Sequence, residues 1–285
     1  MPGMDRDEDS AERAALRRAL DDLDAGLLAS AERELGDRRR LAPLVERLRT
    51  PAAAFLQPEL EQRLAHYVAA DDSFARDRIA HALAGACGQE ALPALLRARV
   101  TDRNEDGDTL ERDVIDLFEA WPETALELSM AYTASEDPGL RKVSLWGMCF
   151  FDLFGTKYFD LVAEAAGDPD PAVRADVMIT LGASFGLGDP ARALTIRIAG
   201  TSDAAPEVRR AAASSLWFET DEAATDALLA CASDADGLVR CWAALALSQR
   251  PAHKARAALE RLATDEDANV RDVACQALAP PSKWP

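Results

Sequence analysis

Asp168-Pro-Asp-Pro-Ala-Val-Arg174, Asp203-Ala-Ala-Pro-Glu-Val-Arg209, Asp234-Ala-Asp-Gly-Leu-Val-Arg240 and Asp265-Glu-Asp-Ala-Asn-Val-Arg271 align without gaps. Each has Asp six residues before the Arg and Val immediately before it. Three residues after the Arg stand Val177, Ala212, Ala243 and Ala274; seven after it stand Leu181, Leu216, Leu247 and Leu278. The arginines are 35, 31 and 31 residues apart. Apolar residues at −1, +3 and +7 from one position share a helical stripe. The Asp-rich segment with Pro or Gly reads as a turn and helix start, where carboxylates suit the unpaired amides and the positive dipole end. Helices repeated at this period cannot bury their faces alone, so neighbouring copies must stack.

The pattern extends upstream with decay. Asp137-Pro-Gly-Leu-Arg141 continues to Met148, and Asp71-Asp-Ser-Phe-Ala-Arg76 continues to Ile79 and Leu83. Between them Leu110-Glu111 continues to Val114 and Phe118, with Glu111 in place of the Arg. First helices are expected near residues 73, 108, 138, 171, 206, 237 and 268. Apolar second helices are expected over 91–100, 122–132, 157–166, 190–199, 221–231 and 253–263. Pro43, Pro51 and Pro58 interrupt the stretch before the array. This divides the chain into a disordered tail (1–9), an irregular helical N-terminal cap (10–70), the repeat array (71–279) and a second tail (280–285).

The signature Asp-x(4)-Val-Arg-x(2)-Ala-x(3)-Leu resembles HEAT repeats, in the short bacterial form also found in phycobilin lyases, over residues 71–279. The resemblance implies an all-α, right-handed α-solenoid of stacked helical hairpins and a non-catalytic protein-interaction scaffold or adaptor. It also implies a structural ladder between adjacent repeats, built from Asp168, Asp203, Asp234 and Asp265 with Arg141, Arg174, Arg209, Arg240 and Arg271. Glu111 departs from it. Arg250 lies outside the repeated position and is expected to matter much less on mutation than Arg240. An alternative carried by the same resemblance is a bilin-lyase-like enzyme acting on a tetrapyrrole and a protein substrate.

Composition narrows the partner. No stretch approaches the ~20 apolar residues of a membrane helix, and the acidic N-terminus does not read as a signal peptide. The five cysteines are odd in number and lack Cys-x-x-Cys spacing, which argues against a disulfide framework or zinc site and fits a reducing cytoplasm. Arginine outnumbers lysine 28 to 4, a hint of a high-GC bacterial source. Net charge is −18; residues 101–250 hold 27 acids against 12 bases, or −15 of that total. Such a chain repels phosphate backbones, so nucleic acid is not expected as a ligand, and a basic protein surface is the natural complement.

No motif for chemistry stands out. The three histidines, His66, His81 and His253, are not followed by Glu and lie at no ligand spacing from cysteine, so neither a metal nor an organic cofactor is expected. His81 reads as a partly exposed helix residue. Gly186-Leu-Gly188 lacks a phosphate-loop Lys-Ser/Thr and reads as a helix stop. Two local features exceed the background of the repeat. Trp146, Phe150, Phe151, Phe154, Tyr158 and Phe159 are six of the chain's 17 aromatics within fourteen residues. Phe150 and Phe159 are expected in the core, and Trp146, at +5 from Arg141, is expected outward as an apolar anchor. Residues 102–137 hold twelve acids against Arg103 and Arg112. Asp113, Asp116 and Glu119 fall on an outward stripe of one helix, and Glu123 and Glu127 share a face of the next. Two readings stand for these five acids: a solubilising surface, or a docking face for a basic protein.

Overall fold

The computed structural model describes residues 4–29, 35–100 and 109–279, and among them there are helices and turns but no strands. The chain is an all-α solenoid in two compact units, residues 1–134 and 135–285.

The first unit holds α1 (Met4–Ala29), α2 (Leu35–Leu48), α3 (Gln57–Ala69), α4 (Ser73–Cys87), α5 (Leu92–Arg99), α6 (Thr109–Ala120) and α7 (Pro122–Tyr132). α2 packs on α4 and α4 on α6, while α3 packs on α5. The α2–α3 pair therefore stacks in the same two rows as the repeats that follow. At residue 70, where the cap is expected to give way to the array, α3 packs directly on α4. Pro43 lies inside α2 without ending it, Pro51 opens a 3-10 turn (Pro51–Leu56) that separates α2 from α3, and Pro58 sits in the first turn of α3, where its missing N–H costs nothing. Residues 4–9, expected as tail, belong to α1. Residues 1–3 and 280–285 lie outside the described residues.

The second unit holds α8 (Pro138–Phe151), α9 (Phe159–Glu164), α10 (Pro171–Gly182), α11 (Pro190–Gly200), α12 (Pro206–Ser215), α13 (Glu222–Cys231), α14 (Gly237–Leu247), α15 (Ala252–Leu262) and α16 (Ala268–Leu278). The first helices α8, α10, α12, α14 and α16 pack each on the next, and α11 packs on α13. The −1, +3 and +7 stripe forms the core: Val173, Val177 and Leu181, Val208, Ala212 and Leu216, and Val239, Ala243 and Leu247 are all buried. Each fully buried Val or Leu contributes about 1.5–3 kcal/mol. In α16, Val270 and Ala274 are buried but Leu278 is only half-buried.

Helix starts follow from the turn chemistry. The carboxylates of Asp137, Asp170, Asp236 and Asp267 accept the N–H of Gly139, Ala172, Leu238 and Asn269. α12 starts after Ala205 and has no side-chain cap.

Candidate functional site

Where a turn carries two aspartates, Asp168/Asp170, Asp234/Asp236 and Asp265/Asp267, they do different work. The one nearer the helix caps it. The one six residues before the arginine closes its own turn: Oδ1 of Asp168, Asp203, Asp234 and Asp265 accepts the N–H two residues on, at 2.8–2.9 Å. The same carboxylate takes the arginine of the preceding repeat in a fork. Nε and Nη2 of Arg141 donate to Asp168, both at 2.7 Å. Arg174 reaches Asp203 at 2.9 and 2.8 Å, Arg209 reaches Asp234 at 2.7 and 2.8 Å, and Arg240 reaches Asp265 at 2.8 and 2.7 Å. The remaining Nη1 of each donates to a carbonyl of its own leading turn: Ser135, Asp168, Asp203 and Asp234.

These forks are charge-assisted and bidentate. The guanidinium holds the carboxyls of Asp168, Asp203 and Asp265 below the usual carboxylate range. At Asp234 burial pushes the carboxyl up, and Arg209 with the backbone N–H of Asp236 outweighs it. Arg210 binds Asp236 through both oxygens and brings its carboxyl down to about 2.

The five acids of the central run do not share one environment. Asp116 and Glu119 on α6 and Glu123 and Glu127 on α7 are exposed, and no ion pair holds them among the described residues. Asp113 is not part of that surface. It is only 4% exposed, and its Oδ1 lies 2.6 Å from Nδ1 of His81 on α4. The α4–α6 contact covers the +2 position that a single-helix wheel turns outward. Asp113 Oδ2 is buried with no hydrogen-bond partner. Glu111, in the slot of the repeated arginine, pairs with Arg99 at the end of α5.

Trp146 lies half-buried on α8 in the second unit, with Phe150 at 6.3 Å between ring centroids. Phe150 is exposed, against the expectation of a core residue, while Phe159 is buried and stacks on Phe185. The Asp152 carboxylate accepts the N–H of Thr156, Lys157 and Tyr158 and so fixes the loop that displays Leu153 and Phe154. Phe218, 89% exposed, was not singled out by the sequence. It stands at +9 from Arg209 as Phe150 does from Arg141, and that shared offset was the available signal.

Arg250 is also placed differently from expectation. It is buried, and donates from Nη1 to Trp217 O (2.9 Å) and from Nη2 to Leu216 O (2.7 Å). Arg197 donates to Ser215 O at 2.9 Å and pairs with Glu219. Two cations thus converge on the carbonyl end of α12, where unpaired acceptors and the negative dipole end favour them. Burial holds the Arg250 guanidinium below its ordinary pKa.

Among the described residues no three His, Cys, Asp or Glu side chains converge as a metal site would, and no helix is long and apolar enough to cross a membrane. A groove of about 530 Å³ runs between α3 and α5, with Leu64, Val68, Ala94 and Ala98 along it and Glu61 and Arg97 beside them.

Residues 194–279 match the family model for HEAT repeats. An engineered protein of known crystal structure is similar over 93% of this chain and 80% of its own, at 15% identity and a TM-score of 0.43. No curated protein matches the chain.

Proposed function

We propose that this chain, whose repeats are of the HEAT kind, is a non-catalytic protein-interaction scaffold that captures a basic protein on the exposed acids of α6 and α7. One observation carries the reading. Asp116, Glu119, Glu123 and Glu127 are exposed and unpaired among the described residues, while most acids at the repeat junctions of the second unit are bound by arginine. Unpaired surface carboxylates of one sign raise the local potential and steer a cationic surface, an effect screened over ~8–10 Å at physiological ionic strength. Trp146 and the exposed Phe150 offer a separate apolar anchor in the other unit.

The test begins with a basic protein captured by the wild type and identified by mass spectrometry. Its association rate is then compared with that of an Asp116→Lys/Glu119→Lys/Glu123→Lys variant at low and high salt. The variant should associate at least about tenfold more slowly at low salt, and the difference should shrink at high salt. Equal rates at low salt would leave the acids a solubilising role only.

A further inference from the structure

Arg271 repeats the geometry of the four ladder arginines without an acceptor for its fork among the described residues. Its Nη1 donates to Asp265 O at 2.7 Å and Glu266 O at 2.9 Å, the clamp that Arg141, Arg174, Arg209 and Arg240 make on their own turns. In those four, Nε and Nη2 then grip a carboxylate of the next turn. Nε and Nη2 of Arg271 have no partner among the described residues.

Among the described residues the rest of this edge is uncovered in the same register. At +4 from the arginine, Leu145, Met178, Ala213 and Ala244 are all buried. In the second repeat, Gly200 of the second helix α11 lies against Met178. The +4 residue of α16 is Cys275, and it is exposed. At +7 Leu181, Leu216 and Leu247 are buried, but Leu278 is half-buried. α16 thus shows the face that a second helix covers in α10 and α14, beside a preset guanidinium fork that a following turn fills four times.

We propose that α16 is a docking edge for a partner that presents a helix–turn–helix with an aspartate in the turn. The first partner helix covers Cys275 and Leu278, and the aspartate completes the fork of Arg271. The internal junctions point to this occupant: an aspartate fills the fork four times, and a second helix packs on α10 and on α14. Asp272 refines it. At this +1 position Lys142 and Arg210 reach acids of the following repeat, Asp176 and Asp236. The exposed Asp272 therefore asks for a neutral or basic residue on the partner.

The test uses the full chain and a synthetic peptide copying residues 188–216, which holds α11, the Asp203 turn and α12. This segment has Ala205 where an acid would face Asp272, and it contains no cysteine. The readout is alkylation of Cys275. Burial pushes the thiols of Cys87, Cys149 and Cys231 to about 11 and raises that of Cys241, so exposed Cys275 reacts selectively at neutral pH. The peptide should protect Cys275, and an Asp203→Asn peptide should need at least about tenfold higher concentration for equal protection. Arg271→Gln in the protein should weaken the unmodified peptide to a similar degree and leave the Asn peptide unchanged. No protection by any peptide, or equal protection by the Asp and Asn peptides, would overturn the proposal. Concentration-dependent self-association of the protein that Arg271→Gln abolishes would also overturn it, by making the occupant a second copy.

Discussion

The first helices of the second unit are tied by one device used four times, whereas α4 and α6 of the first unit are tied by a different one. Arg141, Arg174, Arg209 and Arg240 are each clamped by carbonyls of their own turn and grip both oxygens of the next aspartate. A guanidinium stays charged at any physiological pH and fits a carboxylate in two parallel bonds. Between α4 and α6 the tie is His81 to Asp113, one ring nitrogen on one oxygen, with the second oxygen buried and unpaired. Both contacts bury a carboxylate between repeats, but only the first kind satisfies it fully.

The sharpest way to break the comparison is Asp113→Lys. It places a cation in the buried slot beside His81 and should cost about 3 kcal/mol or more. Chemical denaturation checks it, and a midpoint shift as small as that of Asp116→Lys would mean Asp113 faces solvent. Next is Arg240→Ala, which strands Asp265 and frees the Asp234 carbonyl, at about 2–3 kcal/mol. Arg250→Ala should follow at about 1–2 kcal/mol, because it uncovers two carbonyls at the end of α12 but leaves no carboxylate behind. If Arg250→Ala left the midpoint unchanged, the convergence on α12 would be decorative and the ladder alone would hold this region.

The smallest effect concerns Arg210 and Asp236. The folded carboxyl titrates at about 2, below the ~4 of an unfolded aspartate. The pair's contribution is thus present above pH ~4 and is lost as the pH falls toward 2. The Tm difference between wild type and Arg210→Ala should stay constant from neutral pH to about 4 and shrink below it. A difference that grew on acidification would reverse the assigned sign.

Much of the second unit was legible in sequence. Val173, Val177 and Leu181 could be assigned to one buried stripe because three offsets recur in register, and no other element is needed to fix that face. The turn aspartates were legible as helix starts, but their division of labour was not. Asp236 caps and Asp234 bridges, and only the approach of Arg209 tells them apart. Arg250 was misread because its carbonyl acceptors lie 33 and 34 residues away and carry no side-chain signature.

The amino-acid sequence by itself determined the period, the buried stripe, the turn chemistry and the acidic balance, since each depends on spacing along one helix or on charge count. Only the tertiary structure decided that Asp113 is buried against His81, that Arg197 and Arg250 meet at α12, that Phe150 and Phe218 face outward, and that the fork of Arg271 on α16 is unfilled among the described residues. Those depend on which neighbour covers a given face, and a helical wheel fixes the direction of a side chain without fixing what stands opposite it.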